Sequence, residues 1–366
     1  MCTTVVSAAN GGPIIGVFAQ PIAKHGEYIA ASYVKWVEMA GGRVVPISYN
    51  APKEYLKSLV PQLNGLLFPG GAANVNDRAA YLYELALELN NQGIYYPVWG
   101  TCLGFEWLLQ LTAGDLNALE TDFDAMNITM PLNFTADAPS SRLFKSAGDI
   151  YQLLAEKPIT MNNHHQGITP GQFAKYDKLT SFYSVLSTNV DRQGREFIST
   201  IEAKKYPVYG VQFHPEKNSF EYGEYPDGSP YEVIDHSFDA IRMGHFEYGE
   251  YPDGSPYEVI DHSFDAIRMG QYFANFFINE ARKNDLRFGD SHQQTASLIY
   301  NYHTSPVTAP GFVESYIFKH DFGTNYWTGI RFPALDADDD DVVIACRRRM
   351  DEWYLRMIST EYGSTR

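Results

Sequence analysis

The first hundred residues alternate short apolar runs with amphipathic ones. Residues 13–18 (PIIGVF) form the continuous apolar run of a strand buried on both faces. Residues 28–41 carry helical spacing and stop at the Gly41-Gly42 pair. Residues 43–48 (RVVPIS) read as a strand, and Pro46 favours an edge position because it cannot donate to a ladder. A short helix over 54–63 precedes a strand at 65–68 (GLLF), which runs into Pro69-Gly70-Gly71. Residues 77–90 are helical, with Asp77 near the positive end of the helix. A strand at 96–99 (YPVW) and a helix at 103–111 complete the series. This order predicts an α/β fold: a mostly parallel central sheet with helices on both faces. In such sheets ligands bind outside the carboxyl ends of the strands.

Beyond residue 121 the pattern is less regular as far as 195, apart from a strand-like entry to a polar turn at 159–165 (ITMNNHH). Residues 196–203 and 207–213 read as two late strands, and 270–283 as a closing amphipathic helix. Between them lies a tandem duplicate: residues 220–244 and 246–270 are identical, with only His245 separating them. A solenoid stacks three or more diverged repeats, so two identical copies indicate a recent duplication or an assembly artefact. Near the end, 336–341 is an acidic cluster and 347–349 a basic one, the composition of solvated segments.

Hydrophobic residues make up 45% of the 366 and charged ones 20%, an ordinary globular balance. The formal net charge of -16 argues against a general nucleic-acid partner, which calls for a basic face. It leaves room for a small anionic substrate in a locally basic pocket. No apolar run is long enough for a transmembrane helix, and the first 12 residues show no signal-peptide pattern. Two glycosylation triplets, at Asn127 and Asn133, occur about as often as chance allows. Cys2, Cys102 and Cys346 are too far apart for a metal site and make no disulfide framework.

One of these cysteines stands in a distinctive place. Gly100-Thr101-Cys102-Leu103-Gly104 follows a strand and precedes a helix, the position of a nucleophile elbow. The glycines relieve crowding there, and the helix N-terminus favours a thiolate. The plain alternative is a small buried side chain beside a turn. His214, in Gly210-Val211-Gln212-Phe213-His214-Pro215-Glu216, stands just past a late strand with a carboxylate two residues on. Glu216 can fix its tautomer, giving nucleophile, base and orienter in the order Cys102, His214, Glu216. Alone, a histidine at a strand end is more often structural. Acyl transfer also needs backbone donors for an oxyanion, and Gly71 and Leu103 are the candidates. Read by itself, Pro69-Gly70-Gly71 is only a turn.

Together these elements resemble the class I glutamine amidotransferase superfamily and, within it, the gamma-glutamyl hydrolase family. PIIGVFAQP, YVKWVEMAGGRVVPI, LLFPGGAAN, GTCLGFEWL, FISTIEAKKYPVYGVQFHPEK and QYFANFFINEARKN carry the likeness. It spans about 13–318 less one repeat copy. It divides the chain into an N-terminal extension (1–12), a catalytic domain (13–319) containing the duplicate, and a C-terminal appendage (320–366). By motif it implies a class I glutamine amidotransferase-like fold with Cys102 as nucleophile, His214 as general base and acid, and Glu216 in the third place. His164 matches a substrate-pocket histidine, with His165 beside it as the alternative. Glu106 either faces the pocket or supports the elbow.

The resemblance further implies hydrolysis of gamma-glutamyl bonds in folyl or antifolate poly-gamma-glutamates, without metal or cofactor. It also implies a homodimer in a secreted, lysosomal or vacuolar setting. Two rivals stand beside it. A glutaminase feeding ammonia to a synthetase needs an acceptor domain or partner, and the chain has no P-loop signature. A non-catalytic binding protein on the same fold is the other, since fold alone assigns no chemistry.

Overall fold

A computed structural model describes residues 11–22, 26–222, 260–305 and 312–318. The first ten residues, most of both repeat copies and the appendage at 320–366 lie outside the described residues.

Fourteen strands occur among them: β1 (Ile14–Phe18), β2 (Gln20–Ile22), β3 (Gly26–Ala30), β4 (Arg43–Ile47), β5 (Gly65–Phe68), β6 (Val98–Thr101), β7 (Ala125–Met130), β8 (Asn133–Phe134), β9 (Thr160–His164), β10 (Tyr183–Val190), β11 (Glu196–Ala203), β12 (Val208–Val211), β13 (Thr304–Ser305) and β14 (Ser315–Phe318). Eight form the central sheet in the order β4-β1-β5-β6-β12-β11-β10-β8. The first five are parallel to their neighbours. The last three join antiparallel. Pro46 lies on the edge strand β4, where its missing N–H costs the ladder nothing.

Side chains of the parallel strands alternate between two apolar layers, as the period of two requires. Val17, Leu67 and Trp99 face α1 (Ala31–Met39), while Phe18, Leu66, Phe68 and Val98 face α2 (Lys53–Leu59), α3 (Asp77–Asn91) and α4 (Leu103–Ala113). Behind α4 in the chain come α5 (Asp149–Glu156), α6 (Pro170–Phe173), α7 (Asp177–Phe182), α8 (Lys217–Phe220), α9 (Phe264–Ala281) and α10 (Ser291–Ser297). Helix α9 packs on the α1 side. Its Phe277 stacks on Trp36 at 6.2 Å and lies 5.8 Å from Trp99. The Trp36 indole N–H donates to the Gly270 carbonyl at 3.0 Å, which ties α1 to α9.

The structure departs from the sequence reading in identifiable places. Residues 28–30, read as the start of a helix, belong to β3, which pairs with β2 and β14 in a second, four-stranded sheet. That pairing overrides a helical pattern, and α1 begins only at Ala31. Helix α2 passes into a 3-10 turn at Val60–Gln62, where Pro61 lacks the N–H to continue it. Strand β6 begins two residues late, at Val98: the Tyr96 N–H bonds the Asn90 side chain and Pro97 has none to offer. Helix α9 begins at Phe264, six residues early, because the Ser263 hydroxyl accepts from the Ala266 N–H. Strand β10, within the stretch read as irregular, pairs along its length with β11. No helix among the described residues is long and apolar enough to cross a membrane.

Candidate active site

Three adjacent parallel strands, β5, β6 and β12, end on the same edge of the sheet, and each delivers one candidate element. Phe68 is level with Gly100 across β5 and β6, and Val211 with Thr101 across β12 and β6. The chain beyond these residues therefore emerges side by side: Gly70-Gly71, Cys102 and His214.

Cys102 joins β6 to α4 with φ +50° and ψ -109°, a strained conformation for a residue with a side chain. Its amide is held by the Val211 carbonyl at 2.8 Å. The flanking glycines are sterically required. A Cβ on Gly104 would lie 1.9 Å from the Phe68 carbonyl oxygen, and one on Gly100 would lie 2.6 Å from the Gly104 carbonyl oxygen. Such a turn holds its nucleophile above the sheet edge.

Burial pushes the Cys102 thiol up, and the carboxylates of Glu106 and Glu216 act in the same direction. The Leu103 amide N–H and the Lys217 ammonium pull it down. The helix-terminus argument alone anticipated a ready thiolate. Desolvation outweighs it here and holds Cys102 as a thiol.

His214 is anchored by its own N–H to the Met161 carbonyl at 2.8 Å. Its ring Nδ1 donates to Glu216 Oε1 at 2.7 Å, and both side chains are buried. A carboxylate at Nδ1 leaves Nε2 as the free, basic nitrogen. His214 and Cys102 lie against one glycine: a Cβ on Gly70 would meet His214 Cε1 at 2.8 Å and Cys102 Cβ at 3.5 Å.

The same glycine touches a residue that the sequence reading did not single out. The Tyr33 hydroxyl accepts from the Gly70 N–H at 2.7 Å and lies 3.4 Å from His214 Nδ1. Burial pushes its pKa well up, reinforced by the negative charge of Glu216. Tyr33 thus stays a neutral phenol that ties the glycine turn to the histidine. Its only sequence signal is a polar atom on an otherwise apolar face of α1.

Among the described residues no backbone carbonyl accepts from the Gly71 or Leu103 amide. Glu106, in the first turn of α4, is buried and accepts from the Gln212 side chain at 3.0 Å. Burial raises its pKa to about 7, partly offset by that hydrogen bond.

The two neighbouring histidines differ in placement, because β9 ends at His164. His164 is buried and His165, just past the strand, is exposed. His164 Nδ1 lies 2.7 Å from the Gln166 carbonyl, so it carries the proton and Nε2 is an acceptor. Burial drives the His164 pKa down to about 3, and the nearby His214 adds to the effect. The ring is therefore neutral throughout the physiological range.

The flanks of the duplicate meet this site. Asn218, two residues past Glu216, donates to the Asp261 carbonyl at 2.7 Å, and its own carbonyl accepts from His262 at 2.8 Å. Gly270 packs so close to the Pro215 carbonyl that a Cβ would stand 2.5 Å from its oxygen. The end of the second copy thus braces the His214–Glu216 segment and Asn218 behind it.

Residues 13–216 match the family described as Peptidase C26. Gamma-glutamyl hydrolase B of Dictyostelium discoideum is 39% identical over 342 residues, covering 88% of this chain and 89% of that protein. Gamma-glutamyl hydrolase of Homo sapiens is 37% identical, covering 84% and 89%. Gamma-glutamyl hydrolase 1 of Arabidopsis thaliana is 32% identical, covering 87% and 86%. Among solved structures, the glutaminase domain of Trypanosoma brucei CTPS with bound acivicin aligns with a TM-score of 0.43 at 14% identity, over 75% of this chain and 95% of that one.

Proposed function

The chain belongs to the Peptidase C26 family of cysteine peptidases, and from that premise we propose that it hydrolyses gamma-glutamyl bonds in folyl or antifolate poly-gamma-glutamates with Cys102 as nucleophile. The observation that carries this reading is the convergence of Cys102 and His214 on Gly70, with Glu216 at the far nitrogen of the imidazole.

His214 Nε2 takes the thiol proton as the Cys102 sulfur attacks the gamma-carbonyl carbon. The carbonyl electron pair becomes an oxyanion facing the amides of Gly71 and Leu103. Glu216 stabilises the imidazolium formed. As the tetrahedral adduct collapses, His214 gives its proton to the departing amine and a thioester remains on Cys102. His214 then takes a proton from water, whose oxygen attacks the thioester. Collapse of that second adduct expels the sulfur, which recovers its proton from His214. The His164 Nε2 acceptor and the Glu106 carboxyl line the pocket as substrate contacts in this scheme.

The catalytic unit in this reading spans 13–319, flanked by the extension at 1–12 and the appendage at 320–366, and works as a homodimer. Its setting is secreted, lysosomal or vacuolar. The Glu106 carboxyl supports an acidic working range, because below about pH 7 it adds no negative charge beside Cys102.

Free glutamine and folate pentaglutamate separate this reading from a glutaminase. The account expects cleavage of the pentaglutamate and negligible ammonia release from glutamine. Efficient ammonia release, with the pentaglutamate untouched, would reverse the assignment.

A further inference from the structure

We infer that Gln20 is a specificity-determining residue, whose carboxamide binds the α-carboxylate and α-amide N–H of the glutamyl residue that carries the scissile carbonyl. This rests on the functional reading above and extends it to a residue outside the motifs.

Gln20 opens β2, immediately past the carboxyl end of β1. It is only 1% exposed, yet neither Nε2 nor Oε1 has a hydrogen-bond partner among the described residues. An unpaired amide in such a place is costly, and a leucine of similar reach would avoid the cost. The amide lies against the glycine turn of the site. A Cβ on Gly71 would meet Gln20 Oε1 at 2.7 Å and its Cδ at 2.9 Å. Gly70, the adjoining residue, is covered by Tyr33, His214 and Cys102. The unpaired amide and the reacting groups therefore flank the same two-residue turn.

The span suits one glutamyl residue. From the gamma-carbonyl carbon to the α-carboxyl carbon there are four bonds, roughly 5 Å when extended. Consecutive Cα atoms such as those of Gly70 and Gly71 are separated by about 3.8 Å. A carbonyl held over Cys102 with its oxygen at the Gly71 amide thus brings the α-carbon toward Gln20. In a gamma-linked chain that carbon bears one acceptor, the carboxylate, and one donor, the amide N–H. A carboxamide offers the complementary pair, Nε2–H and Oε1, in one planar group.

The test compares a folyl gamma-diglutamate with an analogue in which the α-carboxylate of the cleaved glutamyl residue is a carboxamide. The wild type should favour the carboxylate in kcat/KM by about tenfold to hundredfold, the value of a hydrogen bond to a charged group. In Gln20→Leu the preference should collapse to within about threefold, and in Gln20→Glu it should invert through charge repulsion. Thermal melting establishes that each variant is folded, and Gln20→Glu decides alone if Gln20→Leu is not. If both folded variants keep the wild-type ratio, even at a lower absolute rate, Gln20 is structural and the inference fails. Inactivity of the wild type on both substrates would instead remove the functional reading beneath it.

Discussion

The Nδ1 atom of His214 lies 2.7 Å from Oε1 of Glu216, with both side chains sealed from solvent. In the proposed mechanism the carboxylate fixes the imidazole tautomer and leaves Nε2 to take the Cys102 proton. Because burial keeps Cys102 a thiol, the reaction depends on that transfer more than it would with a preformed thiolate. His214→Asn should lower kcat/KM by about a thousandfold or more, as loss of a general base does. Glu216→Ala should cost about tenfold to a hundredfold, since Nε2 survives but its tautomer and charge lose support. Steady-state kinetics on a folate polyglutamate checks both, and a Glu216→Ala enzyme at full rate would remove Glu216 from the catalytic set.

Gly104 lies at the tightest contact around the elbow, where a Cβ would stand 1.9 Å from the Phe68 carbonyl oxygen. Backbone is on both sides, so no side chain can swing away. Gly104→Ala should destabilise the protein by about 3 kcal/mol, the cost of overpacking a rigid site. Urea unfolding measures it, and a change below about 0.5 kcal/mol would contradict the packing described.

Glu106 should make stability and activity depend on pH. Its folded pKa, about 7, is raised above the ordinary carboxylate value of 4.5 by burial. The folded state thus holds a proton that the unfolded state releases between those two pH values. Stability from this group is complete below about pH 4.5 and declines as pH rises through about 7, by about 3 kcal/mol in all. Above that range the ionised carboxylate also opposes ionisation of Cys102. Glu106→Gln should flatten the fall in urea midpoint between pH 5 and 8 and shift the alkaline limb of the rate profile upward. An unchanged pH profile in that variant would contradict the coupling.

Much of the site was legible because its chemistry coincides with steric necessity. Gly100, Cys102 and Gly104 announce an elbow since only glycine fits beside a neighbouring carbonyl. The Gly70-Gly71 turn and His214 announce themselves by standing at strand ends. Tyr33 and Gln20 were silent, because their roles come from long-range placement: α1 crosses above Gly70, and β2 folds beside Gly71. The second sheet was equally hidden. Its strands β3 and β14 are nearly three hundred residues apart in sequence, and β3 carries a pattern that also suits a helix. Which of His164 and His165 is buried depends on where β9 ends, and an isolated strand pattern does not supply that.

The duplicate yields a prediction from sequence identity and anchoring together. Removing residues 245–270 joins the first copy directly to Gln271 and regenerates one uninterrupted copy followed by the rest of α9. The residues that brace Asn218 and Pro215 are then supplied by the retained copy. The shortened protein should keep the fold and at least the activity of the full chain, as judged by melting temperature and kcat/KM. A shortened protein that fails to fold would mean the two copies are not interchangeable.

The central claim is that one thiol carries the chemistry. Hydrolysis of folate pentaglutamate by the full chain and by its Cys102→Ala variant tests it most directly. The account predicts release of glutamate or shortened chains by the former and none above background by a folded Cys102→Ala protein. Hydrolysis by Cys102→Ala at a rate near that of the unaltered protein would contradict it.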